Sequence, residues 1–189
     1  MKNEWTQHRF SGGALALDLV NTVVRSSEGT SVFDRLANAA DAARFAEAAA
    51  KFRLDERDPP FCFPPAPEED FARLLELRER IYTHFAPAPE NSAARLAALS
   101  RLMCASGRAL AETGPDSLLC QTVLSWMRLN APEKRARLRA CPACFWLFLD
   151  RSRNGSRVWC DMAVCGNRHK SRLNYNKRRR PLGMEARAA

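Results

Sequence analysis

The sequence predicts a mainly α-helical N-terminal domain with minor β content, residues 1–133, joined to a small α+β module stabilised by zinc, residues 134–189. Three observations predict it. Apolar residues recur at helical spacing through most of the first part, broken by prolines. Four cysteines, Cys141, Cys144, Cys160 and Cys165, fall in the C-terminal part with the spacing C-x2-C-x15-C-x4-C. Charge is also segregated. Residues 1–133 hold 15 Lys+Arg against 18 Asp+Glu, a net of −3, whereas residues 134–189 hold 15 against 3, a net of +12. A length of 189 residues suits one domain plus a finger.

In chain order, Ala14 to Val24 is largely apolar, with Asp18 and Asn21 interrupting, and reads as a first helix. Thr30 to Phe33 is a weak strand candidate. Asn38, with Asp41 three residues on, reads as the N-cap of an Ala-rich helix to about Phe52, with Phe45 and Phe52 inward. Asp58 to Pro67 contains five prolines and is expected to be an extended linker. Glu68-Glu69-Asp70 suits the positive end of a helix dipole. That helix runs to about Phe85 on Phe71, Leu74, Leu75, Leu77, Ile81 and Tyr82, and Pro87 and Pro89 end it. Asn91 or Ser92 starts another, with Leu96, Leu99 and Met103 at helical spacing. Gly107 to Leu110 is a second weak strand candidate. Pro115-Asp116 opens a helix through Leu129 carrying Leu118, Leu119, Val123 and Trp126, and Pro132 breaks it. Cys62, Cys104 and Cys120 are widely spaced and are expected to be buried thiols.

The C-terminal cysteines are the ligand set of a closed tetrahedral zinc site. Two structural disulfides are the alternative, but C-x2-C pairs suit metal better and nothing marks the chain as secreted. Asn154-Gly155 is a type I′ turn signal between Phe145–Leu149 and Arg157–Trp159, so the reading is a knuckle, a hairpin, then a helix. One zinc held by four thiolates leaves no open coordination position, so its role is structural. Trp146, Phe148 and Trp159 are expected to pack beside the metal, in preference to stacking on bases.

After the last ligand come Arg168, Lys170, Arg172, Lys177, Arg178, Arg179 and Arg180, with His169, Asn174, Tyr175 and Asn176 among them. A helix beginning near Cys165 places Arg168, Arg172, Tyr175 and Arg179 on one face. Arginines and lysines would neutralise phosphates, and Arg172 and Asn174 could reach base edges. The alternative is a solvated basic end without a partner.

No Ser/His/Asp set, Gly-rich phosphate loop or catalytic carboxylate pair is present, so no catalysis is expected. Arg78 interrupts an apolar stripe, and Asp18 and Asn21 interrupt the first apolar run. A buried Arg must be paired. Arg78 with Asp18 is therefore either an internal ion pair or the polar floor of a ligand site that includes Asn21. No apolar run approaches the ~18 residues needed to span a bilayer, and Met1 to Phe10 lacks the apolar core of a signal peptide.

The stretch CPACFWLFLDRSRNGSRVWCDMAVCGNRHKSR resembles the CGNR zinc finger, a treble-clef domain of bacterial proteins, over about Leu138 to Arg180. The resemblance implies that Cys141, Cys144, Cys160 and Cys165 are the zinc ligands and that the basic helix contacts DNA. Gly12 to Thr22 is similar to the opening motif of the ABATE domain, with Leu19 where an aromatic residue is common. That pairing of domains implies a stress-induced transcription regulator whose N-terminal domain senses a small ligand. The expected function is therefore a regulator binding double-stranded DNA. The alternative is a zinc-stabilised module for RNA or protein without sequence-specific DNA binding. Expected placement is cytoplasmic, on the bacterial nucleoid, with no membrane partner and with homodimer formation as a further expectation.

Overall fold

The computed structural model of the protein describes residues 4–26, 30–53, 68–86 and 92–179. A 3-10 turn, Gln7–Phe10, leads into α1 (Leu15–Val20), β1 (Val23–Arg25), β2 (Ser31–Asp34), α2 (Ala39–Phe52) and α3 (Glu68–Phe85). Then come α4 (Ser92–Glu112), α5 (Leu118–Arg128), α6 (Pro132–Arg135), β3 (Leu138–Ala140) and β4 (Leu147–Leu149). A π-helical turn, Met162–Gly166, opens α7 (Asn167–Arg179). The chain is mainly helical, with two separate two-stranded antiparallel sheets.

The hub is α1. All six of its residues are buried, and it packs against α3, α5 and β4. A helix this short is not stable alone. Its first turn is instead satisfied from outside, the Ala16 N–H donating to Ser125 Oγ at 3.1 Å. Around it Phe45, Leu74, Leu77, Ile81, Leu102, Val123 and Trp126 close the core. The predicted Asn38 cap forms, its Oδ1 accepting from Asp41 N at 2.9 Å. The helix expected to open at Pro115-Asp116 starts instead at Leu118, where Ser117 Oγ accepts from Cys120 N at 3.0 Å.

Several expectations are corrected. The first helix ends at Val20, not Val24. Thr22 Oγ1 donates to Leu19 O at 2.7 Å, and the β-branched Val23 and Val24 pair with Asp34 and Phe33 across β1–β2. Gly107 to Leu110 lies inside α4, not in a strand. The buried face of α4 is Ala98, Leu102, Ala105, Ser106 and Ala109, while Leu96 and Met103 are 68% and 50% exposed. Small residues let α4 lie close to α3 and α5, which turns the larger ones outward. Pro132 begins α6, where its missing N–H costs nothing. Cys120 is buried but Cys104 is exposed. Cys62 and the stretch from Asp58 to Pro67 lie outside the described residues.

The sheet near the cysteines also differs from expectation. β4 pairs with β3, in the register Leu138↔Leu149, Arg139↔Phe148 and Ala140↔Leu147, and not with residues 157–159. The turn before Gly155 closes with Gly155 N donating to Ser152 O at 3.2 Å. Only Gly155 of this turn has positive φ (+63°), so it is not type I′. The buried Asp150 carboxylate takes the Ser152 and Arg157 N–H groups at 2.8 and 2.9 Å. It thereby holds the return segment as a loop.

Strand β4 is a wall shared by two cores. Side chains alternate across a strand. Leu147 and Leu149 face the main core with α1, whereas Phe148 faces the cluster of Cys141, Trp146, Cys160 and Cys165. Residues on either side of position 133 are thus packed together. Among the described residues no helix is long and apolar enough to cross a membrane.

Candidate metal centre and nucleic-acid interface

Two tight turns assemble the cysteines. In the first, Cys141 N donates to Trp146 O at 2.9 Å and Phe145 N donates to Cys141 O at 2.8 Å. Phe145 adopts the left-handed conformation, φ +60°, which reverses the chain and returns Cys144 to Cys141. In the second, Cys165 N donates to Asp161 O at 2.9 Å, and the Asp161 carboxylate accepts from Ala163 N at 2.8 Å and Val164 N at 3.3 Å. Asp161 is thus an N-cap, which aims Cys165 back at Cys160. Arg157 braces this turn by donating to the carbonyls of Trp159 and Cys160. A Cβ on Gly166 would lie 2.4 Å from Met162 Sδ and 3.2 Å from the Trp159 ring, so the close fit there suits glycine.

The four Sγ atoms lie within 4.8 Å of one another. Three of the edges are 3.5 Å for Cys144–Cys160, 3.6 Å for Cys160–Cys165 and 3.7 Å for Cys144–Cys165. Sulfurs about 2.3 Å from a central zinc form a tetrahedron with edges of about 3.8 Å, whereas a disulfide needs about 2.05 Å. Charge points the same way. Hydrogen bonds from the thiols of Cys144 and Cys160 hold Cys141 as a thiolate, far below the usual range. Accepting that role pushes Cys144 up to about 12 and Cys160 higher still, and burial raises Cys165. Four thiolates gathered in one buried site repel one another, and a dication offsets that charge. The donor set fits one structural zinc, held by Cys141, Cys144, Cys160 and Cys165.

The family model of the CGNR zinc finger matches residues 137–179. The ABATE model, described as "Putative stress-induced transcription regulator", matches residues 13–142, more than half of the chain. The chain belongs to the ABATE family. No curated protein matches it.

The ABATE opening motif is explained by this packing. A Cβ on Gly12 would meet Asp18 Oδ1 at 2.7 Å, and Gly13, φ +83°, lies against Leu149. Leu149 N donates to Gly12 O at 2.7 Å. Asp18 accepts from Gly12 N at 2.8 Å and pairs with Arg53 at 2.8 Å. Asn21 donates to Leu147 O at 2.8 Å and accepts from Leu147 N at 3.0 Å.

The expected pairing of Arg78 with Asp18 does not form. Arg78 is buried, but it grips Asp34 in a fork at 2.8 and 2.6 Å and donates to Thr22 Oγ1 at 3.0 Å. Arg78 and Asp18 thus take different partners, Asp34 and Arg53, while Asp18 and Asn21 both lie beside Gly12. Asp34 and Arg53 carried no periodic signal by which sequence could single them out. Asp161 did, as a capping residue next to a ligand.

The helix begins where expected. Arg168, Lys170, Arg172 and Asn174 are all exposed on α7, which has no acidic residue. Lys177, Arg178 and Arg179 lie on its last turn, and Arg180 is outside the described residues. Asn167 Nδ2 donates to Ala163 O at 3.0 Å, and His169 packs on Trp159 with ring centroids 4.8 Å apart. The first turn of α7 is thereby fixed to the metal centre. Trp146, Phe148 and Trp159 pack in the cluster, as expected.

Proposed function

We propose that this ABATE protein is a transcription regulator that binds double-stranded DNA through α7. The observation carrying the reading is a helix whose charged residues are all basic, with Arg168, Lys170 and Arg172 exposed, anchored at its N-terminus by the cysteine cluster. A positive helix without acidic residues seeks a polyanion, and a rigid base lets it hold one orientation in a groove. Arg168, Lys170, Lys177, Arg178, Arg179 and Arg180 would neutralise phosphates, while Arg172 and Asn174 would meet base edges. The reading assigns no catalysis to the helical part and places the protein in the cytoplasm, on the nucleoid. Ligand sensing at Asp18, Asn21 and Arg78 is not part of it, because each of those side chains is satisfied inside the fold.

Selection of bound sequences from random duplex DNA with the zinc-loaded chain tests the proposal. A recurring consensus supports it. Equal retention of all duplexes, or tighter retention of single-stranded RNA, would favour the alternative of an interaction module without sequence-specific DNA binding.

A further inference from the structure

The metal cluster carries more negative charge than one dication cancels. Four thiolates and one zinc sum to −2, and Cys141, Cys160 and Cys165 are buried while Cys144 is half-buried. A buried negative charge is costly unless a cation lies close to it. Arg157, on the finger itself, lies over the Phe148 ring at 4.8 Å. Two further arginines come to the cluster from outside the finger.

Arg35 follows β2 and is buried. Its backbone N–H and its Nη1 both donate to Thr22 O, at 3.1 and 3.3 Å, which ties it to the chain just beyond α1. From there its guanidinium stands 5.5 Å from the centre of the Trp146 ring and 5.6 Å from that of Phe33. Arg9 approaches the same indole at 6.0 Å. It is delivered by its neighbour His8, which stacks on Trp146 and bonds Asp161 at 2.9 Å. Trp146 packs with Cys141, Cys160 and Cys165 and stands two residues after Cys144. Both guanidiniums thus share one ring that lies on the cysteines. Burial, and then Arg9, hold the Arg35 guanidinium down to about 10, against the pull of Asp34 and Cys144. Two like charges beside one ring are stable together where negative charge lies close, and the zinc-loaded cluster supplies it.

We propose that Arg35 and Arg9 are counter-charges of the zinc tetrathiolate, positioning residues that raise its metal affinity without binding the metal. Zinc is then linked to the helical domain by charge as well as by packing. The same cations draw electron density from the thiolates, and from half-buried Cys144 above all, which lowers their nucleophilicity.

The zinc-loaded full chain tests this in two ways. Competition with a chromophoric chelator measures zinc affinity. Zinc released by N-ethylmaleimide, read with a metal dye, measures the reactivity of the bound thiolates. Arg35→Met should weaken zinc binding about tenfold or more and speed that release. Arg35→Lys, which keeps the charge and loses the guanidinium contacts, should stay close to the parent. Arg9→Met should move both readouts the same way by a smaller factor. Arg35→Lys as weak as Arg35→Met overturns the proposal, since packing and not charge then sets the affinity. Parental affinity and release rate in Arg35→Met overturn it as well. Should Arg35→Met fail to fold, Arg9→Met at low salt decides, and parental values of both readouts there overturn the proposal.

Discussion

Asn21 holds the backbone of Leu147 from both sides, accepting from its N–H at 3.0 Å and donating to its carbonyl at 2.8 Å. The amide side chain acts as a one-residue strand at the free edge of β4, far from it in sequence. Through it, the opening motif is joined to the wall of the metal cluster.

Asn21→Ala should therefore leave both Leu147 backbone groups buried and unsatisfied, at about 1–3 kcal/mol for each. Denaturant unfolding measures the loss, and hydrogen exchange should show the Leu147 amide losing protection. A variant as stable as the parent would contradict the pairing.

Two of the buried arginines, Arg53 and Arg78, should respond differently to truncation. Arg53→Leu strands Asp18, whose side chain is 0% exposed, and should cost about 3–5 kcal/mol. Arg78→Leu strands Asp34, whose side chain is 34% exposed and can be hydrated, so its cost should be smaller. Parallel thermal melts give the order, and an inverted order would show that Asp18 has another partner.

Zinc removal should reach beyond the finger. Leu147 and Leu149 lie in the main core while Phe148 lines the metal cluster, so losing the metal loosens a strand that both sides use. Chelation, or Cys165→Ser, should lower the melting temperature of the whole chain in one transition. A helical part melting as before would show the two cores to be independent. Zinc must also displace protons from Cys144, Cys160 and Cys165, which are pushed up in the metal-free site, so affinity should rise as pH rises. Calorimetric titration in buffers of different ionisation enthalpy counts those protons.

Hydrogen bonding by Ser152 holds the Asp150 carboxyl below the ordinary carboxylate range. The unfolded chain therefore takes up this proton more readily than the folded one. Asp150 contributes stability that is fully present above the ordinary carboxylate pKa and is lost as pH falls through the folded value. Asp150→Asn should flatten that part of the acid limb in a plot of stability against pH. An unchanged limb would show that other carboxylates produce it.

Replacing Arg178, Arg179 and Arg180 by Ala should weaken duplex binding about equally for all sequences, with roughly one unit of salt slope lost per phosphate contact. Arg172→Ala or Asn174→Ala should instead relax preference at one position, by about 1–3 kcal/mol. Fluorescence anisotropy across a salt series separates the two, and a salt-independent affinity would remove the phosphate-anchoring role.

Local chemistry was legible in the sequence. The ligand spacing, the Asn38 cap, the acidic start of α3 and the basic run of α7 each rest on residues close together in the chain, where spacing alone sets geometry. The metal centre could thus be assigned before any fold was known. What only the tertiary structure decided was which distant partners meet. Leu96, Leu99 and Met103 stand at helical spacing, but the small residues of α4 pack more closely and form its buried face. Arg78 and Asp18 each needed an opposite charge once buried, yet β2 delivered Asp34 to one and the end of α2 delivered Arg53 to the other. The hairpin expected inside the finger lost to β3, because the Phe145 turn folds β4 back before the Gly155 turn is reached. A sequence states that a buried charge or strand edge must be satisfied, but the long-range topology chooses the group that satisfies it.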